Sequence, residues 1–353
     1  MKILHLFSIK DSIYSTSFMQ FIEENFDYSA HEFAILGVDS GKTNRRKAAS
    51  VYYNLSDVKA YLKLADKINK SRITIVHGIF LDSKLSLIFN LRVKKGKLLW
   101  MIWGGDLYTW KSKNQTFLAV LSNWNQKFLR EKMYGAIISF SPDERICNKE
   151  FVKINRMFYA HYPIGYTTQQ LEKNRAEKTD KKIHILVGNS ANRVLNHKSV
   201  LDSLKSIKNE EIQIHLPLNY GDIRYADEIE EYAKDLFGKK AICYREKMDI
   251  EDYIRLLWHI DIGIFDTERQ IALGNIIMLC YMGKKIFLKK DSVLYEYFIY
   301  HGIKVGKTEE ISAIEFAEMQ KVYYKEKERE LALEYLETER IKKQWDRIFS
   351  FFS

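Results

Sequence analysis

The sequence predicts an α/β protein built from two doubly wound domains. The chain has 353 residues, more than one ordinary hydrophobic core accommodates. Short apolar runs bounded by glycine alternate with amphipathic segments of helical length, which is typical of parallel sheets covered by helices on both faces. The alternation stops at a polar segment, residues 167–182, and then starts again. Two sheets in one chain follow from this restart.

The first predicted domain spans residues 1–165. Its buried strands are expected in the apolar runs "MKILHLF", "HEFAILGV", "RITIVHGIF", "KLLWMIWGG" and "GAIISFSPDE". Helices are predicted over Ser15–Asn25 and around Leu118–Lys132, with a further helical stretch in "LDSKLSLIFNLRVKKG". A basic loop, "DSGKTNRRKAAS", follows the second strand. The first strand begins at the N-terminus, so we expect no signal peptide there.

A linker is predicted at residues 166–182, a second domain at 183–325 and a C-terminal helical segment at 326–353. The strands of the second domain are expected in "IHILVGNS", "EIQIHLPLNYG", "KAICYRE", "IDIGIFD" and "KKIFLKKDS". The helices between them are predicted over His197–Lys208, Tyr225–Phe237, Ile250–Trp258 and Ile271–Met282. Ligands of open parallel sheets bind beyond the carboxyl ends of the strands, so functional residues are expected in the loops there.

Composition and missing motifs exclude several classes of protein. No apolar run reaches the length of a membrane span. The three cysteines, Cys147, Cys243 and Cys280, have no metal-binding spacing and are interpreted as reduced thiols of a cytoplasmic protein. The chain lacks GxGxxG after its first strand, GxxxxGK[ST], GxSxG, HExxH and CxxC. These absences argue against dinucleotide oxidoreductases, P-loop enzymes, α/β-hydrolases and zinc enzymes.

The positive charge is confined to the first half of the chain. Residues 1–165 hold 25 Lys and Arg against 14 Asp and Glu, whereas residues 166–353 hold 31 against 32. This asymmetry is compatible with a solvated basic surface, and it also predicts an anionic partner for the first half: lipid headgroups, a phosphate-bearing substrate or nucleic acid.

Several stretches resemble one enzyme family. They are "WGGDLY", "ILVGNSANRVLNH", "LPLNYGDIRYADEIEEYAKDLFG" and "IDIGIFDTERQIALGNIIMLCYMGKKIFL". Their order and content are similar to those of the TDP-N-acetylfucosamine:lipid II N-acetylfucosaminyltransferases, also called 4-alpha-L-fucosyltransferases, which build enterobacterial common antigen. The chain departs from the family pattern at Gly105, where alanine is usual, and at Ile271 and Asn275.

The resemblance implies a GT-B fold, in which two Rossmann-like domains face a central cleft and a C-terminal helix crosses back. It also implies an inverting glycosyltransferase, a hexosyltransferase that needs no metal and no cofactor. The expected donor is a dTDP-linked deoxy-amino sugar, and the expected acceptor is a polyprenyl-diphosphate-linked saccharide for common antigen, O-antigen or capsule. The protein would then lie on the cytoplasmic face of the inner membrane as a peripheral protein.

The donor site is predicted in the second domain. "LVGNSANR" has a glycine turn at Gly188 and then Asn189 and Ser190, both of N-cap type, with Arg193 available for a diphosphate. "DTERQIALGN" repeats the arrangement. The residues expected there are Arg269, Gln270, Gly274 and Asn275. Asn219 and Tyr220, in "LPLNYGD", are expected near the base or the ribose, although a simple turn and ordinary helix capping explain these residue types as well.

The catalytic base is predicted in the first domain. Asp106 follows a buried strand and two glycines, and it lies between Trp103 and Tyr108. A carboxylate walled by aromatic rings at the edge of a cleft suits a general base, because desolvation raises its pKa. The same residue also suits a helix cap. His77, at the end of "ITIVHG", and Asp11 are the alternatives.

Basic segments of the first domain predict docking on an anionic membrane surface. They contain Lys42, Arg45, Arg46 and Lys47, then Lys94, Lys95 and Lys97, and then Lys111 and Lys113, with Trp110 and Trp124 nearby. Two alternative functions stay open: a fucosyl- or rhamnosyl-type transferase that uses a GDP- or UDP-sugar, and a non-catalytic protein that binds membranes or nucleic acid. RNA-binding signatures are missing, so no nucleic-acid partner is expected.

Overall fold

The computed structural model describes residues 2–8, 13–37, 50–53, 58–110, 116–154, 156–163, 166–319, 321 and 326–353. They form two compact units, one of Met1–Gly165 with Thr338–Ser353 and one of Tyr166–Glu337. Each unit is built on one sheet, and neighbouring strands in both sheets run parallel. The α/β class predicted from the sequence is confirmed.

The first unit contains a seven-stranded sheet of order β3-β2-β1-β4-β5-β6-β7. Its strands are β1 (Ile3–Phe7), β2 (His31–Leu36), β3 (Ser50–Tyr53), β4 (Thr74–His77), β5 (Leu98–Met101), β6 (Gly135–Ile138) and β7 (Met157–Tyr159). The helices that precede the second unit are α1 (Ile13–Asn25), α2 (Val58–Lys70), α3 (Ser83–Arg92), α4 (Gly105–Tyr108), α5 (Phe117–Glu131) and α6 (Pro142–Glu150).

The second unit contains a six-stranded sheet of order β10-β9-β8-β11-β12-β13. Its strands are β8 (Ile183–Val187), β9 (Ile212–Pro217), β10 (Ala241–Tyr244), β11 (Ile262–Phe265), β12 (Lys285–Leu288) and β13 (Gly306–Lys307). The remaining helices are α7 (Thr168–Lys173), α8 (His197–Ser203), α9 (Ile223–Phe237), α10 (Ile250–His259), α11 (Leu273–Tyr281), α12 (Val293–Tyr300), α13 (Phe316–Met319), α14 (Glu326–Leu336) and α15 (Thr338–Phe351).

The alternation of side chains along β1 explains why the first sheet is covered on both faces. Leu4 and Leu6 belong to one buried cluster, and Ile3 and Phe7 belong to another that includes Trp345 of α15. Successive residues of a strand point to opposite faces, and β1 has buried apolar residues on both faces, so each face requires a helical layer. The last helix of the chain thus completes the first unit.

The structure differs from the predicted boundaries at two places. The predicted linker, residues 166–182, contains α7, whose Thr167 and Gln170 form a reciprocal capping box, and this segment belongs to the second unit. The predicted C-terminal segment, residues 326–353, is divided between the units, with α14 in the second and α15 in the first. No glycine or proline separates these two highly charged helices, so the sequence analysis treated residues 326–353 as one segment.

Candidate functional site

In the second unit, the loops that follow β8 and β9 are joined by their backbones. The N–H of Ala191 donates to the carbonyl of Tyr220 at 2.8 Å, and the N–H of Asp222 donates to the carbonyl of Ala191 at 2.9 Å. The predicted donor residues 188–193 and 219–220 therefore lie side by side at the carboxyl edge of the sheet, where open α/β folds bind ligands.

Position 188 requires a glycine because of its backbone conformation and the side chain packed against it. Its φ is +65°, and an added Cβ would lie 2.6 Å from Nε2 of His197. Only glycine adopts this backbone conformation at low cost and leaves room for the imidazole. The packing of His197 therefore accounts for the glycine that the sequence places at the turn of the predicted donor site.

Asn189 and Ser190 do not cap a helix, and that part of the prediction is wrong. A short 3-10 helix follows at Arg193–Leu195 with Asn192 as its cap, and α8 begins only at His197 after Asn196, whose φ is 45°. Ser190 is buried. Asn189 donates from Nδ2 to the hydroxyl of Tyr220 at 2.7 Å, while its Oδ1 is buried without a partner.

Arg193 is already paired within its own unit. Its guanidinium lies 3.2 Å from the carboxylate of Asp222 and 3.1 Å from that of Glu228, and it stacks over the ring of Tyr225. The charge predicted for a diphosphate is therefore balanced by two carboxylates in this structure.

A row of polar side chains connects these loops with α10 and α11. The hydroxyl of Tyr253 on α10 donates to Oδ1 of Asn275 at 3.0 Å. Burial raises the pKa of Tyr253, and the nearby phenols of Tyr220 and Tyr166 raise it further. Tyr253 thus contacts the predicted residue Asn275, and it lies within electrostatic range of Tyr220, the partner of Asn189. The sequence analysis missed Tyr253, because an aromatic residue in an amphipathic helix looks like an ordinary core residue.

The start of α11 has a strained backbone and no side-chain cap. Ala272 precedes the helix with a φ of 64° and has no side chain able to accept from the first N–H groups. Its neighbour Gln270 has a buried Oε1 without a partner, and Arg269 is partly exposed. Strained residues cluster at functional sites, and uncapped helix starts bind anions. Gly274 and Asn275 lie in the first turn of α11, as the sequence predicted.

In the first unit, Asp106 points into the protein interior. The residue is only 1% exposed, so its carboxylate does not reach bulk solvent, and its role as the base stays a prediction. Oδ2 accepts from the N–H of Ile79 at 2.7 Å and from the indole of Trp100 at 2.6 Å, and Oδ1 accepts from the N–H of Trp103 at 2.9 Å. These donors hold the loops after β4 and β5 together.

Burial raises the pKa of Asp106, while the hydrogen bond from Trp100 and the charge of Arg130 act in the opposite direction. Arg130 is itself buried, and burial lowers its pKa to about 10. Its guanidinium donates to the carbonyls of Ile79 and Asp106 and to Oε1 of Gln126, and it lies over the ring of Trp100. The pair Asp106 and Arg130 forms the polar core of this edge of the sheet.

His77 is enclosed by aromatic rings. It is 0% exposed and stacks on Phe7 with the ring centroids 4.4 Å apart. Its Nε2 lies 3.0 Å from Nδ1 of His5, its Nδ1 has no partner, and burial lowers its pKa well below the usual value. The third candidate, Asp11, lies outside the described residues.

Asp143 is a buried titratable group that the sequence analysis did not predict. It lies in the first turn of α6 and accepts from the hydroxyl of Tyr108 at 3.0 Å. Burial, assisted by the charge of Asp106, raises its pKa to about 7. No feature of the segment "SPDE" indicates from the sequence that this carboxyl group is buried.

A polar cavity of about 290 Å³ lies at the same edge of the first sheet. Phe80 lines it from the loop after β4 and Ser83 from the start of α3, Thr109 and Trp110 follow α4, and Ser122 and Arg130 belong to α5. Asp106 also contributes to the wall. Hydroxyl and amide groups beside an aromatic ring are the lining that a small polar ligand such as a sugar ring requires.

Among the described residues, no three His, Cys, Asp or Glu side chains are grouped to hold a metal ion. The three cysteines are free thiols. Within the described part of the chain, no helix has the length and apolar character needed to cross a membrane.

Comparison with known proteins identifies a family. The family model described as 4-alpha-L-fucosyltransferase, glycosyl transferase group 56, matches residues 10–350 of this chain. The match covers nearly all of both units, including every candidate residue considered above.

Solved structures share the fold over the whole chain. Anabaena Alr3699/HepE in complex with UDP and glucose superposes with a TM-score of 0.68 at 13% identity, covering 99% of this chain and 100% of that one. The Burkholderia xenovorans alpha,alpha-trehalose-phosphate synthase (UDP-forming) gives 0.64 at 8% identity, with 100% of both chains covered. A putative UDP-N-acetylglucosamine 2-epimerase from Listeria monocytogenes gives 0.56 at 13%, covering 99% and 94%. These similarities confirm the GT-B fold.

Proposed function

The chain belongs to the 4-alpha-L-fucosyltransferase family, glycosyl transferase group 56, and we propose that it transfers a deoxy-amino sugar of the N-acetylfucosamine type. It is a glycosyltransferase. The proposed donor is a dTDP-sugar, and the proposed acceptor is a polyprenyl-diphosphate-linked saccharide used to build common antigen, O-antigen or capsule. The family match over residues 10–350 is the observation that carries this proposal, and it removes the non-catalytic alternative.

The second unit supplies the features that a nucleotide diphosphate requires. The uncapped start of α11 offers N–H groups and a positive potential to phosphate oxygens, and Arg269 lies beside it. The unpartnered oxygens of Asn189 and Gln270 accept hydrogen bonds and thus match N–H groups of a base or hydroxyls of a ribose or sugar. The ring of Tyr220 is 57% exposed, so it can stack on a base. We therefore place the donor here.

The first unit supplies the features that an acceptor sugar requires. The cavity of about 290 Å³ accommodates one sugar ring, with Trp110 as a stacking face and Ser83, Thr109 and Ser122 as hydrogen-bonding groups. An inverting transfer needs a base that takes the proton of the acceptor hydroxyl while that oxygen attacks the anomeric carbon and the nucleoside diphosphate leaves. Asp106 lines the same cavity, and its proposed role as this base stays a prediction.

A second candidate donor is a UDP-sugar. The Anabaena HepE structures hold UDP with glucose and UDP-glucose, on the same fold as this chain. A GDP-linked fucose- or rhamnose-type sugar is the remaining alternative within this activity. The dTDP-, UDP- and GDP-sugars all carry a diphosphate that would contact the same protein groups, so the three donors differ only in their base and their sugar.

Nucleotide binding and turnover test the proposal directly. Melting temperatures measured with dTDP, UDP and GDP show which nucleotide the protein recognises, because a bound ligand stabilises the folded state. Release of the nucleotide from dTDP-, UDP- and GDP-sugars in the presence of a polyprenyl-diphosphate saccharide then measures transfer. We expect dTDP to stabilise most. Stabilisation by none of the nucleotides, together with no turnover, would contradict the proposal.

A metal-independent reaction is proposed as well, so activity is expected to survive EDTA. We further propose that the first unit docks on an anionic membrane surface at the cytoplasmic face. Lys94 and Lys95 are exposed beyond α3, whereas Lys97 donates to the carbonyl of Ser71. Residues 42–47 and 111–113 lie outside the described part of the chain. Nearby basic residues contribute about 1 kcal/mol each to such binding.

A further inference from the structure

Helix α5 exposes an apolar face that no described part of the protein covers. Phe117, Leu121, Trp124 and Phe128 follow one another at helical spacing, and they are 75%, 50%, 76% and 55% exposed. Gln126, Leu129 and Arg130 face the interior on the opposite side. A soluble helix normally has the reverse arrangement, with its apolar side buried and its polar side in water.

Helix α3 extends this apolar face. Its exposed residues Leu87 and Leu91 are 50% and 74% exposed. The two helices pack side by side through polar contacts, with Ser83 3.0 Å from Ser122 and Asn90 donating to the backbone carbonyl of Asn125. The outward-facing leucines of α3 thus continue the surface formed by α5, and we call this combined surface the α3–α5 face. Contiguous apolar patches of this kind mark interaction sites.

The charge around the α3–α5 face is mainly positive. The sequence from Asp82 to Glu131 holds nine Lys and Arg residues and three acidic residues, of which Asp106 is buried. Lys84, Arg92, Lys94 and Lys95 are exposed on or directly after α3. An apolar strip with Trp and Phe beside basic residues matches the interfacial region of an anionic bilayer, where rings sit among headgroups and cations pair with phosphates.

We infer that the α3–α5 face inserts into the headgroup region of an anionic lipid bilayer, with Trp124 and Phe128 among the residues that enter it. The inference rests on the proposed function for its partner, the membrane that carries the lipid-linked acceptor. The proposed function has basic residues attract the first unit to the membrane, and the inference adds that helix α5 inserts into it.

The insertion surface and the polar cavity share a helix. Ser122 and Arg130 of α5 line the cavity, while Leu121 and Trp124 of the same helix belong to the α3–α5 face. A bilayer that holds α5 in its headgroup layer therefore brings the cavity within reach of a saccharide attached to a membrane lipid. This position explains why a helix with an apolar outer face forms a cavity wall.

Flotation with lipid vesicles tests the inference. The variant is Leu121→Gln with Trp124→Gln, and the matched control is Ile223→Gln with Tyr300→Gln, which replaces residues of the second unit that are 73% and 84% exposed. With vesicles of equal phosphatidylglycerol and phosphatidylcholine, we expect the α5 variant to bind at least about tenfold more weakly than the wild type. The control should bind as the wild type does.

Two further measurements distinguish insertion from its alternatives. Brominated lipids should quench part of the tryptophan emission of the wild type, and the variant Trp124→Phe should bind vesicles but lose that part. Unchanged binding by the Leu121→Gln/Trp124→Gln variant would overturn the inference. So would light scattering that shows a wild-type dimer which this variant dissociates, because the α3–α5 face would then be an interface between two copies.

The vesicle assay contains neither nucleotide sugar nor acceptor. If the protein inserts α5 but binds no nucleotide, the proposed activity is contradicted and the membrane insertion is retained. If it transfers sugar to a short water-soluble acceptor but does not bind anionic vesicles, the activity is retained and the insertion is contradicted. The two failures are therefore distinguishable.

Discussion

The indole of Trp100 donates to Oδ2 of Asp106 at 2.6 Å, and the backbone N–H of Ile79 donates to the same oxygen at 2.7 Å. Trp100 lies in β5, Ile79 follows β4, and Asp106 lies in the short helix α4 after β5. One carboxylate therefore fixes two loops at the carboxyl edge of the sheet. A residue that the sequence presents as a base is, in this geometry, also a structural anchor.

The variant Asp106→Asn should lose about 1–3 kcal/mol of unfolding free energy, the cost of leaving buried polar groups unsatisfied. Both carboxylate oxygens accept hydrogen bonds, whereas asparagine has one oxygen and one NH₂ group, so the NH₂ group would face an N–H donor. Chemical denaturation measures the loss. Asp82→Asn is the control, because Asp82 caps α3 and asparagine caps equally well.

The kinetics of Asp106→Asn decide its proposed catalytic role separately. As the base, Asp106 contributes about 10²–10⁴-fold to kcat, so the folded variant should lose that factor while nucleotide affinity is retained. If the folded fraction retains wild-type kcat, Asp106 is an anchor only. The base would then have to be sought elsewhere, beginning with Asp11.

Asp143 should make the first unit less stable as the pH rises. Its pKa is raised to about 7 in the folded protein, whereas an unfolded aspartate titrates near 4. Between these values the folded state holds a proton that the unfolded state has lost, so stability falls as the pH rises through this window, by up to about 4 kcal/mol. Asp143→Asn should flatten the profile measured from pH 4 to 8, and the exposed Asp346→Asn should not.

His31 should have the opposite effect. Burial lowers its pKa to about 4, and its ring lies 2.9 Å from Nε2 of His5. The unfolded histidine takes up a proton near pH 6.5 while the folded one stays neutral, so stability is full above that pH and falls towards pH 4, by up to about 3 kcal/mol. The slope of unfolding free energy against pH should be smaller for His31→Gln than for the wild type, by up to about one proton taken up on unfolding. His301→Gln in the second unit is the control, and equal slopes for wild type and His31→Gln would contradict the assignment.

The strands were predictable because burial on both faces makes them continuous apolar runs, as in Leu98–Met101 and Ile262–Phe265. The edge strand Met157–Tyr159 is only partly buried, and its three residues give too short a pattern to recognise. Side-chain direction was harder to predict. The sequence places Asp106 correctly after β5, but the turn that points it inward depends on Gly104, whose φ of +80° could not be read from composition.

The donor prediction is tested by Gln270→Ala and Arg269→Ala. Gln270 has a buried oxygen without a partner, and Arg269 lies beside the uncapped start of α11. Arg269→Ala should weaken nucleotide binding by at least about tenfold, because a hydrogen bond to a charged group contributes about 1.5–3 kcal/mol. Gln270→Ala should weaken it by about two- to tenfold, because a hydrogen bond between neutral groups contributes about 0.5–1.5 kcal/mol. Calorimetric titration measures this. Arg255→Ala removes an exposed ion pair with Asp252 on α10 and should leave affinity unchanged. Equal affinities for all three variants would place the donor elsewhere.

Substitution of Gly188 tests whether this glycine is needed for packing or for ligand binding. An alanine at this position has to adopt a φ of +65° and place its Cβ 2.6 Å from Nε2 of His197, within the first loop of the second sheet. Gly283 has a φ of +72° and nothing within 4 Å of an added Cβ, so Gly283→Ala measures the backbone cost alone. That cost is about 1–2 kcal/mol, and Gly188→Ala should exceed it by a further amount, because His197 is buried and has to move. The stability of both variants, measured without nucleotide, gives the difference. If Gly188→Ala is no less stable than Gly283→Ala but binds nucleotide more weakly, the glycine serves the ligand and the packing explanation is wrong.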